Sequence, residues 1–213
     1  MRTTLARTRS IAAMPVTPTL PTGHVTFLFT DVEGSTKAWE RDADAMRAAL
    51  EQHDSLIGDV VEQHDGVQVK ERGEGDSWFV VFSSATQAVA ATAEMQRRIA
   101  STDWATDDPI KVRASLHTGE AGVRDGDYYG PTVNRAARLR GIAHGGQTVL
   151  SLPTFELVRD GLPDGVTATD MGEHRLKDLT RPEHVYQLDI GGLESGFPPL
   201  RSLDAVANNL PVQ

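Results

Sequence analysis

The sequence predicts an α/β sandwich, a mixed or antiparallel sheet with helices on one face. Three observations point there. Short β-branched runs alternate with apolar stripes at helical spacing, they come in the order strand, helix, strand, strand, helix, strand, and no internal repeat interrupts them.

The first strand is HVTFLFTDV, His24 to Val32, apolar on both faces as a central buried strand must be and ending in an acid. After a Gly34-Ser35-Thr36 break, Trp39, Ala43, Met46, Leu50, His53, Ile57 and Val60 recur at steps of four and three, which predicts one long helix. Asp65-Gly66 turns the chain into a strand over Val67–Arg72. Gly73 to Gly75 turn it again into Ser77–Phe82, the pattern of a hairpin. Ala85 to Ala100 is an alanine-rich helix. Ile110, Val112, Ala114 and Leu116 alternate with Lys111, Arg113, Ser115 and His117, which predicts a strand with one polar face. Pro131 opens a short helix through Gly141. Thr148–Leu150, Phe155–Val158 and Val185–Ile190 read as strand, helix and closing strand. Residues 24–190 are thus expected to form one domain, 1–23 a disordered lead and 191–213 a linker or tail without periodicity.

Composition narrows the function. The 213 residues are 39% apolar and 24% charged, and no run approaches the ~18 apolar residues of a membrane helix. A cytoplasmic protein without membrane contact is expected. The net charge of -9 argues against direct nucleic-acid binding, which is driven by basic surfaces. With no cysteine, disulfides and thiolate metal sites are excluded, and any metal site is expected to be built from oxygen.

Three stretches carry chemistry. In FTDVEGST, Phe29 to Thr36, the Asp31 carboxylate leaves a buried strand beside a Gly34-Ser35-Thr36 turn, where free N–H groups favour phosphate oxygens and Asp31 suits Mg²⁺; Ser35 or Thr36 serves equally as a plain helix cap. In KERGEGDSW, Lys70 to Trp78, Asp76 ends a turn that a hairpin would bring beside Asp31. Two carboxylates so placed repel unless a cation is shared, while Glu74 reads as a solvated turn residue. In DYYGPTVNRAARLR, Asp127 to Arg140, Asn134 and Arg138 stand four apart on one helix face, an amide and a guanidinium suited to sugar and phosphate oxygens. Arg135 and Arg140 read as the solvated face of that helix, and His117 as a structural or surface histidine.

Taken in this order, the three stretches resemble the class III adenylate and guanylate cyclase catalytic domain, with GGQTVLS and GEHRLKDLTRPEHVYQL resembling its later part. The resemblance covers residues 24 to 190. It implies a ferredoxin-like βαββαβ core acting as a head-to-tail homodimer. It also implies that Asp31 and Asp76, with the Val32 carbonyl, hold two Mg²⁺ or Mn²⁺ ions per active site. Asn134 would orient the ribose and Arg138 stabilise the transition state from the opposite subunit, with Asp127 helping to select the purine and Lys177 meeting the triphosphate. One position departs from the pattern: the adenine-selecting lysine four residues before Asp76 is Arg72, and a planar fork does not replace a compact ammonium. The implied reaction is cyclisation of ATP, or of GTP, with release of pyrophosphate. The alternative is a nucleotide-binding regulatory domain with weak turnover. FPPLRSLDAVANNLPVQ resembles the linker by which such domains join an ATPase and a LuxR-type regulator.

Overall fold

A computed structural model describes residues 20–69 and 75–205. Among these, strand β1 (Gly23–Val32) lies inside a seven-stranded sheet, third in its order. Two helices follow, α1 (Ser35–Arg41) and α2 (Ala43–Gln63), then strands β2 (Val67–Gln68) and β3 (Phe79–Phe82) and helix α3 (Ala85–Ser101). Strand β4 (Val112–Ala121), the small ribbon of β5 (Val123–Arg124) and β6 (Asp127–Tyr128), and helix α4 (Pro131–Ile142) come next. The chain closes with β7 (Thr148–Ser151), α5 (Leu152–Val158), β8 (Val166–His174) and β9 (Glu183–Ile190).

The sheet order is β2-β3-β1-β4-β7-β9-β8, and only the β4–β7 pair is parallel. Its first four strands with α2 and α3 make the ferredoxin-like βαββαβ unit. The remaining strands widen it.

Helices cover both faces, not one. Leu28 and Val32 of β1 join α2, α3 and α5 in one apolar cluster, whereas Val25, Phe27 and Phe29 join Val133 and Ala136 of α4 in another. The reason was present in β1 itself, whose two apolar sides both need cover. The expected polar face of β4 is covered too. Ser115 and His117 are buried, with Ser115 Oγ donating to the Ala136 carbonyl at 2.8 Å and His117 Nδ1 2.7 Å from Ser151 Oγ.

The long helix expected from Ser35 onward is broken at Asp42. Its backbone is extended (φ -152°, ψ 98°), and its carboxylate accepts from the Asp44 and Ala45 amides, capping α2. β8 had no counterpart in the sequence reading: it is an edge strand of mostly polar residues with an irregularity between Asp170 and Gly172.

Residues 191–205 pack back on the domain. Leu200 is 1% exposed among Leu139, Ile142, Leu176 and Val185, and the Arg201 amide donates to the Ile142 carbonyl at 2.9 Å. Asp204 accepts from both the backbone and the guanidinium of Arg175, each at 2.7 Å.

Candidate active site

The site grows from the β1–β3 ladder. Phe29 pairs with Phe79, and Thr30 and Trp78 exchange bonds: the Thr30 amide reaches the Trp78 carbonyl at 3.0 Å, and the Trp78 amide reaches Thr30 Oγ1 at 3.1 Å. Asp31 is one step beyond Thr30 and Asp76 two steps before Trp78, so the antiparallel register brings both to the same end of the sheet. Asp76 is 5% exposed, and among the described residues no hydrogen bond or ion pair reaches its carboxylate. A buried carboxylate without such a partner is costly unless a cation accompanies it. The available donors are all oxygen, which fits Mg²⁺ or Mn²⁺. Among the described residues no group of three or more His, Cys, Asp or Glu forms a metal cluster, so water and phosphate oxygens would have to complete the coordination.

Two arginines escaped the sequence reading. Arg113 stands directly across from Asp31 in the β1–β4 register, and its Nε donates to Asp31 Oδ2 at 2.7 Å with the terminal nitrogen on the same oxygen. Arg140, expected on a solvated face, instead turns toward the sheet. Its guanidinium donates to the Thr30 carbonyl at 3.0 Å and lies 6.0 Å from the Phe29 ring centre. Burial pushes Arg140 below its ordinary value, against the pull of Asp31 and Asp76. The available signal was its spacing, four residues after buried Ala136 and seven after buried Val133, on the stripe that packs. Arg135 is likewise partly covered and pairs with Glu183 at 2.6 Å.

Asn134 and Arg138 occupy the opposite side of α4 and are exposed. Arg138, with its side chain 45% exposed, pairs with Asp178 at 2.6 Å, in the loop that also carries exposed Lys177. Residues 138 and 140 differ by about 200° around an α-helix, so the side that faces Asp31 and Asp76 is not the side that bears Asn134 and Arg138. Asp127, 8% exposed on β6, accepts from the Tyr128 amide at 2.7 Å. Lys70, Arg72, Gly73 and Glu74 lie outside the described residues.

Gly34 precedes α1 in left-handed backbone (φ 75°), and no side chain caps this helix, so the plain capping role of Ser35 or Thr36 is not realised. Glu33 is held by Arg201 at 2.5 Å and by the Gly145 amide at 3.1 Å. Burial works to raise its pKa, but these hydrogen bonds hold it below the ordinary carboxylate value. Gly145 is required there, because a Cβ would stand 2.7 Å from Glu33 Oε2 and 2.8 Å from Lys111 Cβ. His117 is 2% exposed, and its burial, with Arg135 adding to it, pushes the imidazole down to about 4, so it is neutral at pH 7.

Comparison with known proteins agrees with this fold. The family model described as the adenylate and guanylate cyclase catalytic domain matches residues 18–189. An uncharacterized protein of Mycobacterium tuberculosis is 43% identical over 194 residues, 91% of this chain and 66% of the relative, so the chain spans somewhat under two thirds of that relative's length. An adenylate cyclase of Neurospora crassa is 31% identical over 224 residues, covering 79% of this chain and 10% of that protein. Among solved structures, an adenylate cyclase from Trypanosoma brucei in its monomeric state superposes with a TM-score of 0.76 at 28% identity, over 87% of this chain and 97% of that one. The chain belongs to the adenylate and guanylate cyclase catalytic domain family.

Proposed function

We propose that the chain is a class III nucleotide cyclase that converts ATP, or alternatively GTP, to the 3′,5′-cyclic nucleotide and pyrophosphate in composite sites of a head-to-tail homodimer. The observation that carries this reading is the position of Asp31 and Asp76 at neighbouring ends of paired strands, beside a helix whose Asn134–Arg138 row faces away from them. Within one chain, the two sets cannot converge on one substrate. A second copy supplies the missing half.

In this reading Asp31, Asp76 and the Val32 carbonyl hold two Mg²⁺ or Mn²⁺ ions. Bound there, the ions would supply acidification of the ribose 3′-hydroxyl and charge neutralisation at the pyrophosphate. Asn134 of the second copy orients the ribose, and Arg138 of that copy meets charge developing on the α-phosphate, for which it must leave Asp178. Exposure of the Arg138–Asp178 pair makes that exchange inexpensive. Lys177 and the backbone around Gly34, Ser35 and Thr36 face the phosphates. Asp127 and Arg72 contact the purine, and Arg113 leaves Asp31 for phosphate oxygens when cations occupy the carboxylates.

A second reading, nucleotide binding with weak turnover, is favoured by the ion pair that Arg113 forms with Asp31, since it competes with metal. Incubation with ATP or GTP and Mn²⁺ separates the two. Cyclic product and pyrophosphate from wild type, at least 100-fold above Asp76→Ala, is the expected result; saturable binding without product selects the regulatory reading. Mixed Asp31→Ala and Arg138→Ala chains should recover activity that neither has alone. Absence of recovery from folded, dimeric mixtures excludes composite sites. Arg72→Lys is expected to shift preference toward ATP, read as the ratio of kcat/KM for the two nucleotides.

A further inference from the structure

Arg140 has no part in the mechanism above, yet it is built into the site. Its guanidinium holds the Thr30 carbonyl, one residue before Asp31, and lies over the Phe29 ring. Its Nε is buried without a hydrogen-bond partner among the described residues. The charges that act on it are Asp31, Arg113 and Asp76. Two carboxylates and two guanidinium groups therefore form a cluster whose formal charge is zero.

The two arginines are not equivalent. Arg113 binds the Asp31 carboxylate itself from a partly exposed strand position, so an arriving cation can displace it. Arg140 is anchored to backbone and ring rather than to either carboxylate, so it has no reason to leave when the carboxylates change partner. It also belongs to the same subunit as Asp31 and Asp76, whereas its helix neighbour Arg138 faces away.

We propose that Arg140 is a positioning residue acting within its own subunit, a resident positive charge that holds the Thr30–Asp31 backbone and lowers the free site's affinity for divalent metal. The proposal rests on the reading of Asp31 and Asp76 as metal ligands. Its functional consequence follows from charge: with a fixed cation beside the carboxylates, a metal ion alone is poorly held, and the ion that arrives with an anionic nucleotide is favoured. The site would then fill with metal and nucleotide together.

The test is Mn²⁺ binding to the full chain without nucleotide, followed by electron paramagnetic resonance of the free ion, for wild type, Arg140→Met, Arg140→Lys and Asp76→Ala. Removing the charge is expected to tighten Mn²⁺ binding by about tenfold, because the repulsion lost outweighs one lost backbone hydrogen bond. Arg140→Lys keeps the charge and should remain within about threefold of wild type. Arg140→Gln, the smaller change, replaces Arg140→Met if circular dichroism shows that the latter is unfolded.

Equal or weaker binding by the neutral variants, with binding lost in Asp76→Ala, overturns the role of Arg140 and leaves the metal reading intact. Tightening by Arg140→Lys equal to that of Arg140→Met also overturns it, since the charge would then be irrelevant. Wild-type binding by Asp76→Ala removes the metal reading, and the proposal with it.

Discussion

His117 is a titratable group enclosed by the fold, its Nδ1 2.7 Å from Ser151 Oγ. It alternates with apolar neighbours as a surface residue would, yet it is 2% exposed beside Ser151, on the sheet face that α4 covers. Because its folded pKa is about 4, below the unfolded value of about 6.5, the unfolded chain binds more protons between those values. Its contribution to stability is therefore complete above about pH 6.5 and is lost as pH falls toward 4, amounting to about 2 kcal/mol at pH 5. Denaturant unfolding at pH 7 and pH 5 should show that loss in wild type and about 2 kcal/mol less of it in His117→Asn. Arg140 teaches a related lesson. Its position, four after Ala136 on the packed stripe of α4, decides its surroundings more than its charge does. Asp31 and Asp76 were legible because their surroundings are local: a buried strand ending in one, a glycine turn ending in the other. Arg113 was not, because its partner is fixed by the β1–β4 register, a property of two distant segments.

At the scale of elements, the break between α1 and α2 is the instructive difference. The apolar stripe from Trp39 to Val60 runs through Asp42 without interruption, so periodicity alone joins the two helices. Asp42 separates them by accepting two amide hydrogens at the start of α2. Asp42→Ala removes that cap and is expected to cost about 1 kcal/mol in urea unfolding, with no loss of the fold. Asp42→Ser should restore most of it. β8 escaped notice for the opposite reason. An edge strand with one poorly buried face carries little apolar alternation, and β9 supplies the pairing that its own sequence does not announce. Strands β1, β3, β4, β7 and β9 were visible because they are the ones buried in the sheet.

For the whole molecule, the order of strands and helices was enough to reach the βαββαβ core, but not to choose which sheet face each helix takes. Nor did residues 191–205 announce their packing, since Leu200 is a single apolar anchor in a segment without period. Leu200→Ala is expected to destabilise the domain by about 2–5 kcal/mol, as large-to-small changes in a filled cluster do. Arg201→Ala, at a partly exposed ion pair, should cost under about 1 kcal/mol in the same unfolding experiment. Equal effects of the two would mean that the segment is held by charge rather than by packing.

That segment also has a topological meaning. Over four residues, 201 to 204, it grips Glu33, two positions from Asp31, and Arg175, three positions from the Asp178 that pairs with Arg138. In the proposed dimer those two grips belong to different reaction centres, the first beside the metal half of one and the second beside the arginine half of the other. A single short piece of chain would thus be common to both pockets, and loosening it at either end would be felt as slack at the other.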